Sequence, residues 1–230
     1  MIIFPIENIS GTDRKLEELA FKDALAVSVV EPKLNEKRIS VFLSKALKCD
    51  IEIVRNMSVQ ERYFLNLKYA CQQSRTLLGM DSNFSSLFNE QPNSWQDQIN
   101  LSGITVRQLT GREAEYIEEN VNNAAEWIAC LLAFQIKYHG HAELSNFPDR
   151  TKTESEFIEE FLQRLDYLKN LAESDFEKCF GDFNSLNELL CTHLNLGISN
   201  EGLVLKRGAD DAPVRFCPAS CLSRLIRDLD

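Results

Sequence analysis

The sequence predicts a mainly α fold with small β elements: a multi-helix globular domain carrying a C-terminal β-hairpin and a terminal helix. Three observations carry that expectation. Ser58 with Glu61, Thr110 with Glu113 and Thr153 with Glu156 each form a Ser/Thr-x-x-Glu box before an apolar run, an arrangement that satisfies two orphan amides of a helix start at once. Apolar residues recur at three- and four-residue intervals through much of the chain, as in helices with one buried stripe. Strand-like stretches are short, around 104–109 and 202–216.

Taken in order, residues 1–11 read as an extended entry that ends in the Ser10-Gly11 turn. Leu16, Leu19, Ala20, Leu25 and Ala26 predict a short helix within Lys15–Val30, and Ile39, Phe42, Leu43, Ala46 and Leu47 a second over Glu36–Lys48. Ile51 and Ile53 lead to the helix that begins at Val59 and stops at Gly79, whose Tyr63, Phe64, Leu67, Ala70 and Cys71 share one face. Arg62, Asn66 and Lys68 fall mostly on the other side. Ile104, Val106 and Leu109 alternate as a strand. Thr110 then opens the longest expected helix, Arg112 to Tyr138, with an acidic first half and an apolar second half. A helix from the Thr153 box to Leu171, a broken turn at Phe176 and Phe180, and a helix over Leu186–Leu196 follow. The tail reads as a hairpin of Gly202–Leu205 with Val214–Phe216, then a helix from Pro218 to Leu229. Domain organisation follows the same reading: an N-terminal helical part over 1–79, a divider over 80–100 and a C-terminal helical part with the hairpin over 101–230.

Composition excludes several classes of function. The 35 acidic and 25 basic residues give a formal net charge of -10, which opposes binding to a phosphate backbone and argues against a nucleic-acid partner. No apolar run reaches the length of a membrane span and the first residues lack a basic n-region, so neither a membrane nor secretion is expected. Seven scattered cysteines, an odd number, are the usage of reduced thiols in a cytoplasmic protein.

Chemistry is hard to find. The chain has nine glycines and no Walker loop, dinucleotide fingerprint, Gly-x-Ser-x-Gly elbow or His-Glu-x-x-His. No cofactor and no catalytic residue is expected. The alternative is a metal-binding module or enzyme centred on Cys191, His193, Cys217 and Cys221, because four sulfur and imidazole ligands suit tetrahedral zinc. Against it, a two-residue offset turns Cys191 and His193 to different helix faces. His139 and His141 read as helix-end residues, and Glu113–Glu119 as a solvated helix start. Phe84, Phe88 and Trp95, apolar anchors in a polar stretch, are the candidates for binding a partner protein.

Three phrases carry a resemblance: Met57-Ser-Val-Gln-Glu-Arg-Tyr-Phe-Leu65, Arg107-Gln-Leu-Thr-Gly-Arg-Glu-Ala-Glu115 and Arg215-Phe-Cys-Pro-Ala-Ser-Cys-Leu222. Together they resemble small proteins of baseplate hub or tail-tip assembly in tailed phages and prophages. The resemblance implies a non-enzymatic minor structural subunit or assembly chaperone, made in the host cytoplasm, whose partners are other phage tail or baseplate proteins. An intracellular regulatory or host-interaction protein is the remaining alternative.

Overall fold

The computed structural model describes residues 2–78, 87–90, 92–199 and 202–205, with the backbone alone at 74–78. The chain opens on a hairpin of β1 (Ile6–Ile9) and β2 (Thr12–Lys15), followed by α1 (Phe21–Ser28), α2 (Asn35–Ala46), α3 (Ile51–Asn56) and α4 (Val59–Leu78). Next come β3 (Gln98–Leu101), β4 (Ile104–Arg107), α5 (Gly111–Asn120), α6 (Ala124–Gln135) and β5 (Ile136–Tyr138). Then α7 (Glu154–Lys169), α8 (Glu173–Leu190) and a hairpin of β6 (Leu196–Ser199) and β7 (Gly202–Leu205) complete the described chain. The strands form two two-stranded sheets and one antiparallel three-stranded sheet in the order β3-β4-β5. The expected mainly α fold with small β elements and a C-terminal hairpin is therefore observed.

All three boxes form as read. At α4, Ser58 N–H donates to Glu61 Oε2 at 2.8 Å while Glu61 N–H donates to Ser58 Oγ at 3.2 Å. Thr110 with Glu113 and Thr153 with Glu156 repeat the pattern on α5 and α7. The first two boxes lie side by side. Ser58 and Thr110 make an antiparallel bridge, Val59 N–H donates to Leu109 O at 2.8 Å, and Gly111 N–H donates to Met57 O at 3.0 Å. Two of the three phrases behind the resemblance are thus one contiguous object.

Several boundaries differ from the sequence reading, each for a local reason. The stretch expected as one helix from Arg112 to Tyr138 is two helices and a strand. Val121 is extended, and Asn123 accepts a bond from Glu126 N–H at 2.9 Å, so a new helix is capped there. Ile136–Tyr138 then pairs with Ile104–Val106; a short apolar run reads alike as buried helix or buried strand. Residues up to Lys15 form a hairpin because Ser10 and Gly11 both take positive φ, 50° and 76°, the conformation that turns tightly twisted strands. The helix expected from Lys15 begins only at Phe21. Residues 51–56 are a helix capped by Asp50, whose carboxylate accepts Glu52 N–H at 2.8 Å. Glu173–Leu190 is one unbroken helix, and Leu196 belongs to a strand. Gly202–Leu205 pairs with Leu196–Ser199; Val214–Phe216 and the terminal helix lie outside the described residues.

The buried apolar residues form one cluster running from Ile2 to Leu205. Helix α4 lies deep in it, with Tyr63, Leu65 and Leu67 wholly buried. Its polar side is buried too: Arg62 and Asn66 have no exposed surface. That departs from the sequence reading, which set Arg62 and Asn66 apart from the apolar face.

Candidate functional site

Among the described residues, those picked out as chemistry do not assemble into a reactive centre. Cys191 Sγ donates to Asn187 Oδ1 at 3.8 Å, and burial pushes its thiol up to about 12, which keeps it protonated and unreactive. His193 Nδ1 bonds Thr192 Oγ1 at 2.8 Å, and its ring stacks on Trp95 with centroids 3.6 Å apart. Cys217 and Cys221 lie outside the described residues. Among the described residues no group of three or more His, Cys, Asp or Glu is placed to hold a metal ion. His141 does not follow the C-terminal end of a helix, since α6 stops at Gln135; it precedes the 3-10 turn Ala142–Leu144, and its Nδ1 sits 2.5 Å from Tyr167 Oη.

Of the three anchors proposed for a partner, Phe84 lies outside the described residues. Phe88 and Trp95 both set their rings against Phe64 of α4, edge to face, at 5.3 and 5.4 Å. Lys68 Nζ lies 4.9 Å from the Phe64 centroid and 5.3 Å from that of Phe88, within cation–π range. Each of these rings is half-buried. The cluster ties Phe88 and Trp95 to α4 and, through Phe88 pairing with Leu194, to the chain after α8.

The acidic start of α5 is not a solvated face, contrary to the sequence reading. Glu113 is 1% exposed and accepts from Arg107 Nη2 at 2.9 Å and from Arg150 Nε and Nη2 at 2.9 and 2.7 Å. Burial is the largest single influence on its carboxyl and opposes ionisation. The two guanidinium groups and the Thr110 N–H together outweigh it and hold the carboxyl below its usual range. Burial pulls Arg107 down to about 10. Nearby, Arg164 donates to four backbone carbonyls, Ala133, Ile136, Glu143 and Asn146, closing the end of α6. On the other side of α5, Glu115 accepts from Ser40 Oγ and lies 3.1 Å from Arg55 Nε and 3.9 Å from Arg62 Nη2. Arg62 Nη2 donates to Glu36 O at 2.6 Å, and Tyr63 Oη donates to Glu36 Oε1 at 2.5 Å. The sequence offered no sign of these partners, most of which lie tens of residues apart.

One surface has the make-up of an interface. A cleft of about 260 Å³ opens between α2, α3, α5 and α7, lined by Val41, Ile51, Tyr116, Phe157 and Ile158. It continues along the outer face of α7 past Ile158 and Leu162. Ile51 is 37% exposed and Leu162 48%. Around these apolar groups stand Glu52, Glu115, Glu119, Glu154, Glu159 and Asp166, against only Lys37, Arg55 and Arg112. Every one of those three cations already has a carboxylate: Lys37 pairs with Glu119 at 2.9 Å, Arg55 with Glu52 at 2.7 Å and Arg112 with Glu154 at 3.7 Å. Glu159 and Asp166 have no ion-pair partner among the described residues. The groove is an apolar strip inside a negative frame.

Compared with protein families, curated proteins and solved structures, the chain matches none. Among the described residues no helix is long and apolar enough to cross a membrane.

Proposed function

We propose that this protein is a non-enzymatic subunit or assembly chaperone of a phage tail or baseplate hub, acting by binding another tail protein. The observation that supports this reading is the groove over α3, α5 and α7. Apolar groups spaced along a concave surface suit the apolar face of an amphipathic helix. The surrounding carboxylates favour a partner helix with lysine and arginine on its flanks and speed its encounter. The same frame repels acidic surfaces, including other copies of this chain, which gives the choice of partner a basis in charge.

Co-expression of the full chain with basic tail and hub proteins tests the proposal. Wild type is expected to retain one of them on purification, with retention falling as salt shortens the Debye length to roughly 3 Å at 1 M. The double variant Ile158→Asp, Leu162→Glu keeps its helical circular dichroism and loses that partner, because burying two new charges against an apolar helix is costly. Unchanged retention by the double variant overturns the proposal, as does recovery of a bacterial regulator in place of a tail protein.

A further inference from the structure

We propose that a second cleft, between α6, α8 and the β6–β7 hairpin, binds a primary ammonium group carried on a methylene chain. The cleft measures about 600 Å³, a size typical of small-ligand sites, and sets apolar groups such as Ile128, Leu131, Phe180, Phe183 and Leu203 beside a larger polar surface. It lies on different elements from the α3–α5–α7 groove and needs nothing from it.

The hydrogen bonds at its polar edge and the charge around them together point to the ligand class. Gln135 is 4% exposed and donates its amide nitrogen to Arg107 O at 2.7 Å. Gln108, 9% exposed, donates to Leu190 O at 3.2 Å and Gln96 O at 3.3 Å. Asn89 donates to Thr192 O at 2.7 Å, and Asn184 to Glu188 Oε1 at 3.2 Å. All four amides line the cleft. Each of these partners is a carbonyl or carboxylate oxygen, so the amide orientations are fixed by chemistry; turning one over would set oxygen against oxygen. Gln108 spends both of its N–H groups on carbonyls and the other three amides spend one each, which leaves all four side-chain oxygens open to a ligand; among the described residues none of these oxygens accepts a side-chain bond. At Gln108 the cleft offers an acceptor alone, and at Gln135, Asn89 and Asn184 an acceptor beside one remaining N–H.

Charge agrees with that inventory. Glu188 stands on the lining, and among the described residues no lysine, arginine or histidine does. The last turn of α8, which supplies Asn187 and Glu188, carries no basic residue, so the negative end of the helix dipole is left for a cation. An anion would face Glu188 and the negative end of that dipole. An alkylammonium ion matches both parts: its three N–H groups meet the oxygens while its stem lies against the apolar wall. A free linear diamine and a lysine side chain share this chemistry.

Titration calorimetry on the full chain separates the outcomes. The probes are 1,5-diaminopentane, Nα-acetyl-lysine methylamide and, as an anionic control of similar length, hexanoate. Saturable binding at low millimolar concentration is expected for at least one amine and none for hexanoate. Glu188→Lys, a change at an exposed rim position, weakens the amine roughly tenfold by replacing attraction with repulsion. Asn184→Asp tightens it severalfold, a gain that a misfolded variant cannot produce. Saturation by the diamine alone assigns a free amine; saturation by the lysine derivative assigns a protein side chain. Binding of hexanoate as well as the amines, no saturation by either amine, or affinity indifferent to both substitutions overturns the proposal.

Discussion

Glu113 and Glu115 stand two residues apart on one helix and meet opposite surroundings. Two residues is about 200° around a helix, so the side chains enter different layers of the core. Glu113 faces Arg107 and the fork of Arg150, and its oxygens accept three guanidinium N–H bonds and the Thr110 N–H. Glu115 faces Ser40, Arg55 and Arg62, and shares that space with the carboxylate of Glu36. There Arg62 Nε and Nη1 and Glu36 Oε2 find no aligned hydrogen bond. Burial pushes the Glu115 carboxyl up, and the Ser40 hydroxyl and two arginines counter it only in part. Similar charges at similar depth thus differ in hydrogen-bond geometry, and geometry decides whether a buried ion pair stabilises the fold.

Substitutions can break this contrast, and the largest effect belongs to Glu113. Replacing it by Gln strands Arg107 and Arg150 without their shared carboxylate, so Glu113→Gln is expected to cost about 3–5 kcal/mol, read as a lower urea midpoint. The pH dependence has the matching sign. A carboxyl held below its usual value contributes stability above that value, and the contribution is lost as pH falls through the lower folded value. The deficit of the variant should therefore shrink on acidification below about 4.5, the ordinary value for this group.

Gly111→Ala comes next, at about 1–3 kcal/mol. A Cβ there would lie 2.8 Å from Arg62 Nε and closer still to Cζ and Nη1, within a wholly buried side chain. Thermal melts of the two proteins give the difference directly. The smallest effect is expected at Glu115. A raised carboxyl contributes stability below its ordinary value and loses that contribution as pH rises through the higher folded value. At pH 7 its charge is carried at a cost, so Glu115→Gln should match or exceed wild-type stability by less than about 1 kcal/mol. A loss at Glu115 as large as that at Glu113 would show that the two networks are equivalent after all.

Local chemistry made much of the fold legible in the sequence. The three capping boxes are each decided within four residues, and each forms as read. What escaped depends on partners far along the chain. Arg62 meets Glu36 and Glu115 at separations that no periodicity reports, so a charged residue beside an aromatic face gave no sign of complete burial. Ile136–Tyr138 becomes a strand because Ile104–Val106 is there to pair with it. The groove draws a few residues from each of four helices, and the amide-lined cleft depends on which end of each Asn and Gln is already occupied. Neither is a spacing along the chain.

The contact between Arg62 and Gly111 bears on how relatives of this protein could be found. The first residue of α5 lies against the guanidinium of α4, across the bridge of Ser58 with Thr110. A lineage that places any side chain at position 111 must therefore shorten the residue at 62, and with it relieve the carboxylates of Glu36 and Glu115. These four positions should change as a group over evolutionary time, and their joint variation would mark distant relatives even where the rest of the sequence has diverged.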